Sequence, residues 1–156
     1  MTYERFEDLP VWKAAIELAI KIYALTEKTP FRRKYSLRDQ IERAVLSISN
    51  NIAEGFERGT TQELLTFLYI SRGSAGEVRS MLCFTERLPF FKDFKSEISN
   101  LKLEAEGISR QLRAWADSLQ NSEIKGQRYL SEKERSAVKN KKEKAEFLNM
   151  LKSYKK

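Results

Sequence analysis

The sequence predicts an all-α fold: an antiparallel up-down-up-down four-helix bundle over residues 1–120, followed by a basic extension, helical or disordered, over residues 121–156. In four long stretches apolar residues recur at alternating intervals of four and three, which is the period of a helix with one buried face. No stretch alternates polar and apolar residues as a half-buried strand does. The chain has only 6 Gly and 3 Pro, and the Pro residues lie at the borders of these stretches.

The first predicted helix covers about residues 9–28 and carries two adjacent apolar stripes. One stripe consists of Val11, Ala15, Leu18, Ile22 and Leu25. The stripe beside it consists of Trp12, Ile16, Ala19 and Tyr23. Pro10 suits the first helical turn, where its missing N–H costs little, and Pro30 closes the segment. Because two stripes are wider than one bundle core covers, we expect a second surface to cover part of them.

The second predicted helix begins at Ser36, with Asp39 at a position where an acidic residue favours a helix start. Its apolar face consists of Leu37, Ile41, Val45, Ile48, Ile52 and Phe56. Gly59 ends the pattern, because glycine is a poor helix former.

The third predicted helix begins with a capping box from Thr60 to Glu63 and runs to about Leu88. Its apolar face consists of Leu64, Phe67, Leu68, Ser71, Ala75, Val78, Leu82 and Thr85. The small residues at 73–76 predict that a neighbouring backbone approaches the middle of this helix.

The fourth predicted helix follows Pro89 and has the most regular spacing of the chain. Its apolar face consists of Phe94, Ile98, Leu101, Ala105, Ile108, Leu112, Trp115 and Leu119. Short connections between the four helices predict antiparallel neighbours. In the extension, Ser131 and Glu134 are candidates to cap a fifth, highly charged helix.

The composition restricts the chemistry that the protein can perform. It has no His and one cysteine, Cys83, so the usual transition-metal ligand sets and the commonest general base are missing. We therefore expect no enzyme activity and no cofactor. The sequence has no run of about 18 apolar residues and no apolar signal segment at its start, which predicts a cytoplasmic protein.

The positive charge is concentrated at the C-terminus. Residues 1–120 hold 18 Lys and Arg against 17 Asp and Glu, whereas residues 121–156 hold 11 against 5. Such a tail attracts polyanions without specifying the fold. The alternative is a solvated charged helix or a disordered arm that binds nothing.

A second basic cluster lies between the first two predicted helices, where Phe31 and Tyr35 are interleaved with Lys and Arg. Arg and aromatic side chains together bind phosphates and stack on unpaired bases. A solvated loop is the alternative. Arg72 and Arg79 on the third helix extend this positive surface or pair with acidic neighbours. The candidate nucleic-acid-binding residues are Arg32, Arg33, Lys34, Arg38, Arg43, Arg58, Arg72, Arg79, Lys139, Lys141, Lys142 and Lys144.

A polar strip also runs along the second predicted helix, beside its apolar face, and faces polar residues of the third. The predicted structural network consists of Gln40, Ser47, Asn51, Glu54, Ser74 and Glu77. The strip is interpreted either as a recognition surface or as a network that joins helices or subunits. A third hypothesis makes Glu54 and Glu77 a hydrolase site, although ion pairing with Arg43 or Arg58 is the stronger expectation.

Residues 40–82 resemble the four-helix-bundle family encoded by intervening sequences in bacterial 23S ribosomal RNA genes. The resemblance rests on the run from Asn51 to Gly55, on Gly73 and Ser74, and on Glu77, and it extends over about residues 9–119. It implies an antiparallel bundle that assembles as a ring, typically a homopentamer, with no known catalytic activity. The extension after Asn121 departs from the usual family length, so its role is not implied by the resemblance.

The accessory variability determinant proteins of diversity-generating retroelements are related to this family, and they bind a reverse transcriptase and nucleic acid. We therefore expect a homo-oligomer, and the resemblance implies a pentameric ring. We expect it to bind nucleic acid, RNA rather than DNA. The alternative is an accessory scaffold for a reverse transcriptase. A reverse transcriptase gene beside this one favours the alternative, whereas a position inside a ribosomal RNA gene favours the first hypothesis.

Overall fold

The computed structural model describes residues 3–121 and residue 144. Over residues 3–121 it contains four α-helices and no β-strand, which confirms the all-α prediction. The α-helices are α1 (Pro10–Thr26), α2 (Tyr35–Glu57), α3 (Thr61–Arg87) and α4 (Lys95–Gln120). Short 3-10 helices occupy Phe6–Asp8, Phe31–Arg33 and Pro89–Phe94. None of the described helices is long and apolar enough to cross a membrane.

The contacts between helices show that neighbours run antiparallel. Ser47 of α2 bonds to Ser74 of α3, while the later Ile48 accepts a hydrogen bond from the earlier Ser71. Between α1 and α4 the order is likewise reversed. Lys21 of α1 pairs with Glu104, while Lys28, just after α1, pairs with the earlier Glu97. Each described helix packs against two others, α1 and α3 both contacting α2 and α4, so the four helices enclose one core.

The apolar faces predicted from the 4-3 spacing form this core. All five residues of the first stripe of α1 are buried, and so are most residues of the predicted faces of α2, α3 and α4. In the second stripe of α1, Ala19 is buried, Trp12 and Ile16 are half-buried and Tyr23 is exposed. The outer edge of the wide α1 face is therefore not covered by residues 3–121.

The helix starts are partly as predicted. At α3, the Glu63 N–H donates to Thr60 Oγ1 at 3.2 Å, which confirms the predicted cap. The second helix is predicted to begin at Ser36, but α2 begins one residue earlier, at Tyr35, and its first carbonyl acceptor is Lys34. The 3-10 turn at Phe31–Arg33 leads straight into α2, so Ser36 lies one position inside the helix.

The close approach of α2 and α3 occurs at a different glycine from the one expected. A Cβ atom added to Gly55 would meet Phe67 Cβ at 2.7 Å, so only glycine fits there. A Cβ atom at Gly73 or Gly76 would meet nothing within 4 Å in the described chain. Gly73 and Gly76 therefore make no close approach within the described residues, because they lie on the outer side of α3, whereas Ser74 and Ala75 between them are buried.

Candidate nucleic-acid interface

Two connections meet at one end of the bundle, residues 27–34 between α1 and α2 and residues 88–94 between α3 and α4; we call this end the loop pole. Phe31 and Phe91, one from each connection, are fully buried and pack with their ring centroids 4.6 Å apart. Aromatic pairs at this separation stabilise packing beyond their buried area alone. The pair fixes the two connections against each other and to the core.

The rings available to a ligand at the loop pole differ from those predicted. Phe31 has no exposed surface, so its interpretation as a base-stacking residue is wrong. Tyr35 is 79% exposed, as that interpretation requires. Phe90, which the sequence reasoning missed, is 46% exposed and lies 4.8 Å from the Lys34 ammonium group. The sequence contains one signal for an exposed ring here, the two successive Phe residues after Pro89. In the turn that begins at this proline, successive side chains point in different directions, so one ring can be buried while the other is exposed.

Three cations at the loop pole are open to solvent and have no acidic partner. Within residues 3–121, no carboxylate lies within 4 Å of the charged groups of Arg33, Lys34 or Lys92. Arg32 approaches Glu27 only at 4.0 Å. These side chains present positive charge to a ligand without first breaking a strong ion pair.

Arg38, also predicted as a phosphate ligand, is instead held by two carboxylates. Its guanidinium donates to Glu42 at 2.8 Å and to Glu27 at 2.6 Å. The hydrogen bond to Glu42, followed by the nearby negative charges, raises the pKa of Arg38. Glu42 also accepts a bond from the buried Thr26 hydroxyl at 2.6 Å. The structure therefore gives Arg38 a role in joining α1 to α2.

Several further cations of the predicted set are also paired within the chain. Arg43 bonds to Asp39 at 2.7 Å, and Arg79 approaches Glu106 at 4.0 Å. Arg58 bonds to Glu54 at 2.6 Å, and this hydrogen bond is the main cause of the raised pKa of Arg58.

The remaining predicted cations include Arg72, on α3, which is half-buried and has no ion-pair partner among residues 3–121. Lys144 is an exposed helical residue. Lys139, Lys141 and Lys142 lie outside the described residues, as does the predicted fifth helix apart from residue 144.

The polar strip is divided between a hydrogen-bonded cluster and an open cleft. Ser47 Oγ lies 2.9 Å from Ser74 Oγ, and the Asn51 amide donates to Ser47 at 2.9 Å. Gln40 and Glu77 instead line a cleft of about 490 Å³ between α2 and α3. The lining also includes Arg43, Ala44, Ser47, Ser80 and Met81.

The structure does not bring the two carboxylates of the hydrolase hypothesis into one site. Glu77 lines the α2–α3 cleft, whereas Glu54 is not part of its lining and pairs with Arg58. Within the described part of the chain, no three His, Cys, Asp or Glu side chains converge as metal ligands would. No step of hydrolysis can be assigned to these residues.

Comparison with protein families supplies a match over most of the bundle. The family described as 23S rRNA-intervening sequence protein matches residues 7–114. The chain belongs to this family. Comparison with curated proteins gave no match. The family match includes the loop pole, the cleft and the paired Arg38, Arg43, Arg58 and Arg79, and it ends before the basic extension.

Proposed function

We propose that this protein is a non-enzymatic, homo-oligomeric bundle that binds RNA, with the loop pole as the main contact and the basic extension as a second one. The observation that carries the proposal is the group of solvent-exposed cations at the loop pole that lack carboxylate partners among residues 3–121. Lys and Arg side chains that neutralise phosphates release counterions, and this release drives binding to nucleic acid.

The distribution of ion pairs supports the loop pole over the rest of the bundle surface. Arg38, Arg43 and Arg58 are each bonded to a carboxylate at less than 3 Å, and a phosphate would have to displace it. Exposed pairs contribute only about 0–1 kcal/mol each, so displacement is possible, but it reduces the net gain from a new phosphate contact. The family name, which refers to sequences intervening in 23S rRNA, agrees with an RNA-related role.

Exposed apolar side chains support assembly with further copies of the same chain. Each helix carries at least one, for example Ile20, Leu46, Ile70 and Leu103 on α1 to α4. A ring requires two different faces on each subunit, and apolar residues spread over all four helices meet that requirement. Native mass spectrometry tests this proposal, with a multiple of 18.2 kDa expected and a monomer at micromolar concentration contradicting it. A mass of five chains would support the pentamer.

RNA binding is tested by fluorescence anisotropy with a labelled RNA hairpin at several salt concentrations. Replacing Arg33 and Lys34 together with Gln removes two phosphate-binding charges, so the affinity should fall and the salt dependence should weaken. For each lost contact, the slope of log K against log salt should decrease by about 0.7 to 0.9.

The matched control replaces Arg110 and Arg113 with Gln, which changes the net charge equally. Both lie on α4, 15 or more residues beyond its start at the loop pole, and both already pair with neighbours on the same helix. At 1.5 Å per residue, they are more than about 20 Å away. An equal effect of both double variants would show that binding does not depend on the loop pole. Absence of any salt-sensitive binding at micromolar concentration would refute the function.

A further inference from the structure

We infer that the loop pole binds unpaired nucleotides, with a base stacked on Phe90 and with Lys34 and Arg33 at the adjoining phosphates. This inference rests on the proposed function, because it names the kind of RNA that the same surface selects. It is carried by the position of the Lys34 ammonium group over the half-exposed ring of Phe90, 4.8 Å from the ring centroid. A stacking base would replace the ammonium group on this face, and Lys34 would turn to the phosphate beside that base.

Phe90 is positioned firmly enough to act as a stacking platform. Its ring packs 5.2 Å from that of Phe91, which is fully buried against Phe31. An exposed ring on a supported turn loses little conformational freedom when a ligand binds. The exposed part of Phe90 is therefore presented by the core rather than by a free loop.

The charge around the ring favours a polyanion. Residues 27–35 and 88–95 contain six Lys or Arg against two acidic residues, Glu27 and Asp93. Glu27 is already bonded to Arg38 at 2.6 Å, and Lys28 is neutralised by Glu97 at 2.8 Å. Asp93 remains the one acidic group of these two segments without a described partner, and it is outnumbered by the open cations.

The pairing of a ring with cations distinguishes an unpaired strand from a duplex. In a duplex both faces of each base are covered by neighbouring bases, so an aromatic side chain cannot stack on them. An unpaired base offers its face, and stacking tolerates every base type. Tyr35, 79% exposed and next to Lys34 in the chain, supplies a second ring for the same strand.

The test compares two labelled RNA probes that carry the same number of phosphates, an unstructured oligouridylate and a blunt-ended duplex without unpaired nucleotides. Phe90→Leu removes the aromatic face and keeps an apolar side chain, and it should weaken oligouridylate binding about tenfold, equal to about 1.4 kcal/mol. The affinity for the duplex should change by less than twofold, and the salt slope for both probes should be unchanged, because no phosphate contact is lost.

The matched control is Phe84→Leu, since Phe84 on α3 is 56% exposed and lies outside the two connections. It should leave both affinities within twofold of the original. A single 2-aminopurine in the oligouridylate reports stacking directly, because its fluorescence should fall on binding and fall less with Phe90→Leu. If Phe90→Leu lowers the unfolding temperature, Tyr35→Leu replaces it, since that ring lies outside the core.

The outcomes separate this inference from the proposed function. Equal effects of the Phe90 and Phe84 variants, or an equal loss for both probes, would overturn stacking while RNA binding stands. Duplex binding without oligouridylate binding would do the same. If neither RNA binds, the proposed function fails, and this inference fails with it.

Discussion

Gly55 is the position at which one added methyl group should have the largest effect on stability. In Gly55→Ala the new Cβ would lie 2.7 Å from Phe67 Cβ and 3.2 Å from a methyl group of Leu64. Because the Cβ of Phe67 is attached directly to its backbone, no rotation of that side chain relieves the contact. The helices α2 and α3 must move apart, and such overpacking costs about 1–3 kcal/mol.

Gly55→Ala also makes a favourable contribution to the free energy of unfolding, because alanine stabilises a helix by about 1 kcal/mol relative to glycine. Gly76→Ala separates the two terms, since a Cβ at Gly76 would meet nothing within 4 Å. We expect Gly76→Ala to gain about 0.5–1 kcal/mol. The difference between the two variants is then the steric cost alone, about 1–3 kcal/mol.

Urea unfolding followed by far-ultraviolet circular dichroism measures both variants, at one fixed chain concentration because assembly contributes to apparent stability. Gly107→Ala provides a second reference on a different helix, since its Cβ also meets nothing within 4 Å. If Gly55→Ala is as stable as the Gly76 and Gly107 variants, the close approach of α2 and α3 is wrong.

Three further predictions concern single interactions. Thr60→Ala removes the cap of α3 and should cost about 1 kcal/mol by urea unfolding, whereas Thr60→Ser should cost less; equal losses would argue against the cap. Ser71→Ala removes the buried bond to the Ile48 carbonyl and should cost about 0.5–1.5 kcal/mol, and an unchanged unfolding midpoint would contradict this. The bond from Lys102 lowers the pKa of Glu86, so the stability that this pair contributes is present at neutral pH and is lost as the pH falls through that lowered pKa. Glu86→Gln should therefore lose less stability than the original protein between pH 7 and pH 3, and parallel losses would show that the pair is not coupled to folding.

The division of the cations into paired and open groups explains how a body of nearly balanced charge can present a positive surface. Within residues 3–121 several basic residues on the helices pair with an acidic residue one turn away, as Arg43 does with Asp39 and Arg110 does with Glu106. In the connections no helical period places such a neighbour, so Arg33 and Lys34 remain open. The local structure, rather than the total charge, therefore selects the loop pole.

The cleft between α2 and α3 is a polar and concave part of the bundle surface. Gln40 and Glu77 line it together with Arg43, beside the cluster that Ser47 and Ser74 form. Both hypotheses drawn from the polar strip, a recognition surface and a subunit contact, stay predictions. The hydrogen-bonded part of the strip joins α2 to α3 within one chain.

Sequence alone determined the helical architecture, because a helix with one buried face needs apolar residues at intervals of three and four. This spacing can be read directly from the sequence. Leu18, Ile48, Val78 and Ile108 are all fully or almost fully buried, as their spacing predicts. The Thr60 cap is equally local, since its partner is three residues away. Such features depend on near neighbours in the chain, and near neighbours can be seen in a sequence.

Tertiary structure decided which of the candidate site residues are available. Phe31 and Phe90 are both aromatic residues in polar connections, yet Phe31 is buried because Phe91 of the other connection packs on it. Arg33 and Arg38 are both cations of one basic cluster, yet of the two only Arg38 is held by carboxylates, those of Glu27 and Glu42. Exposure and pairing depend on residues that are distant in the chain, and only the folded arrangement of helices brings those residues together.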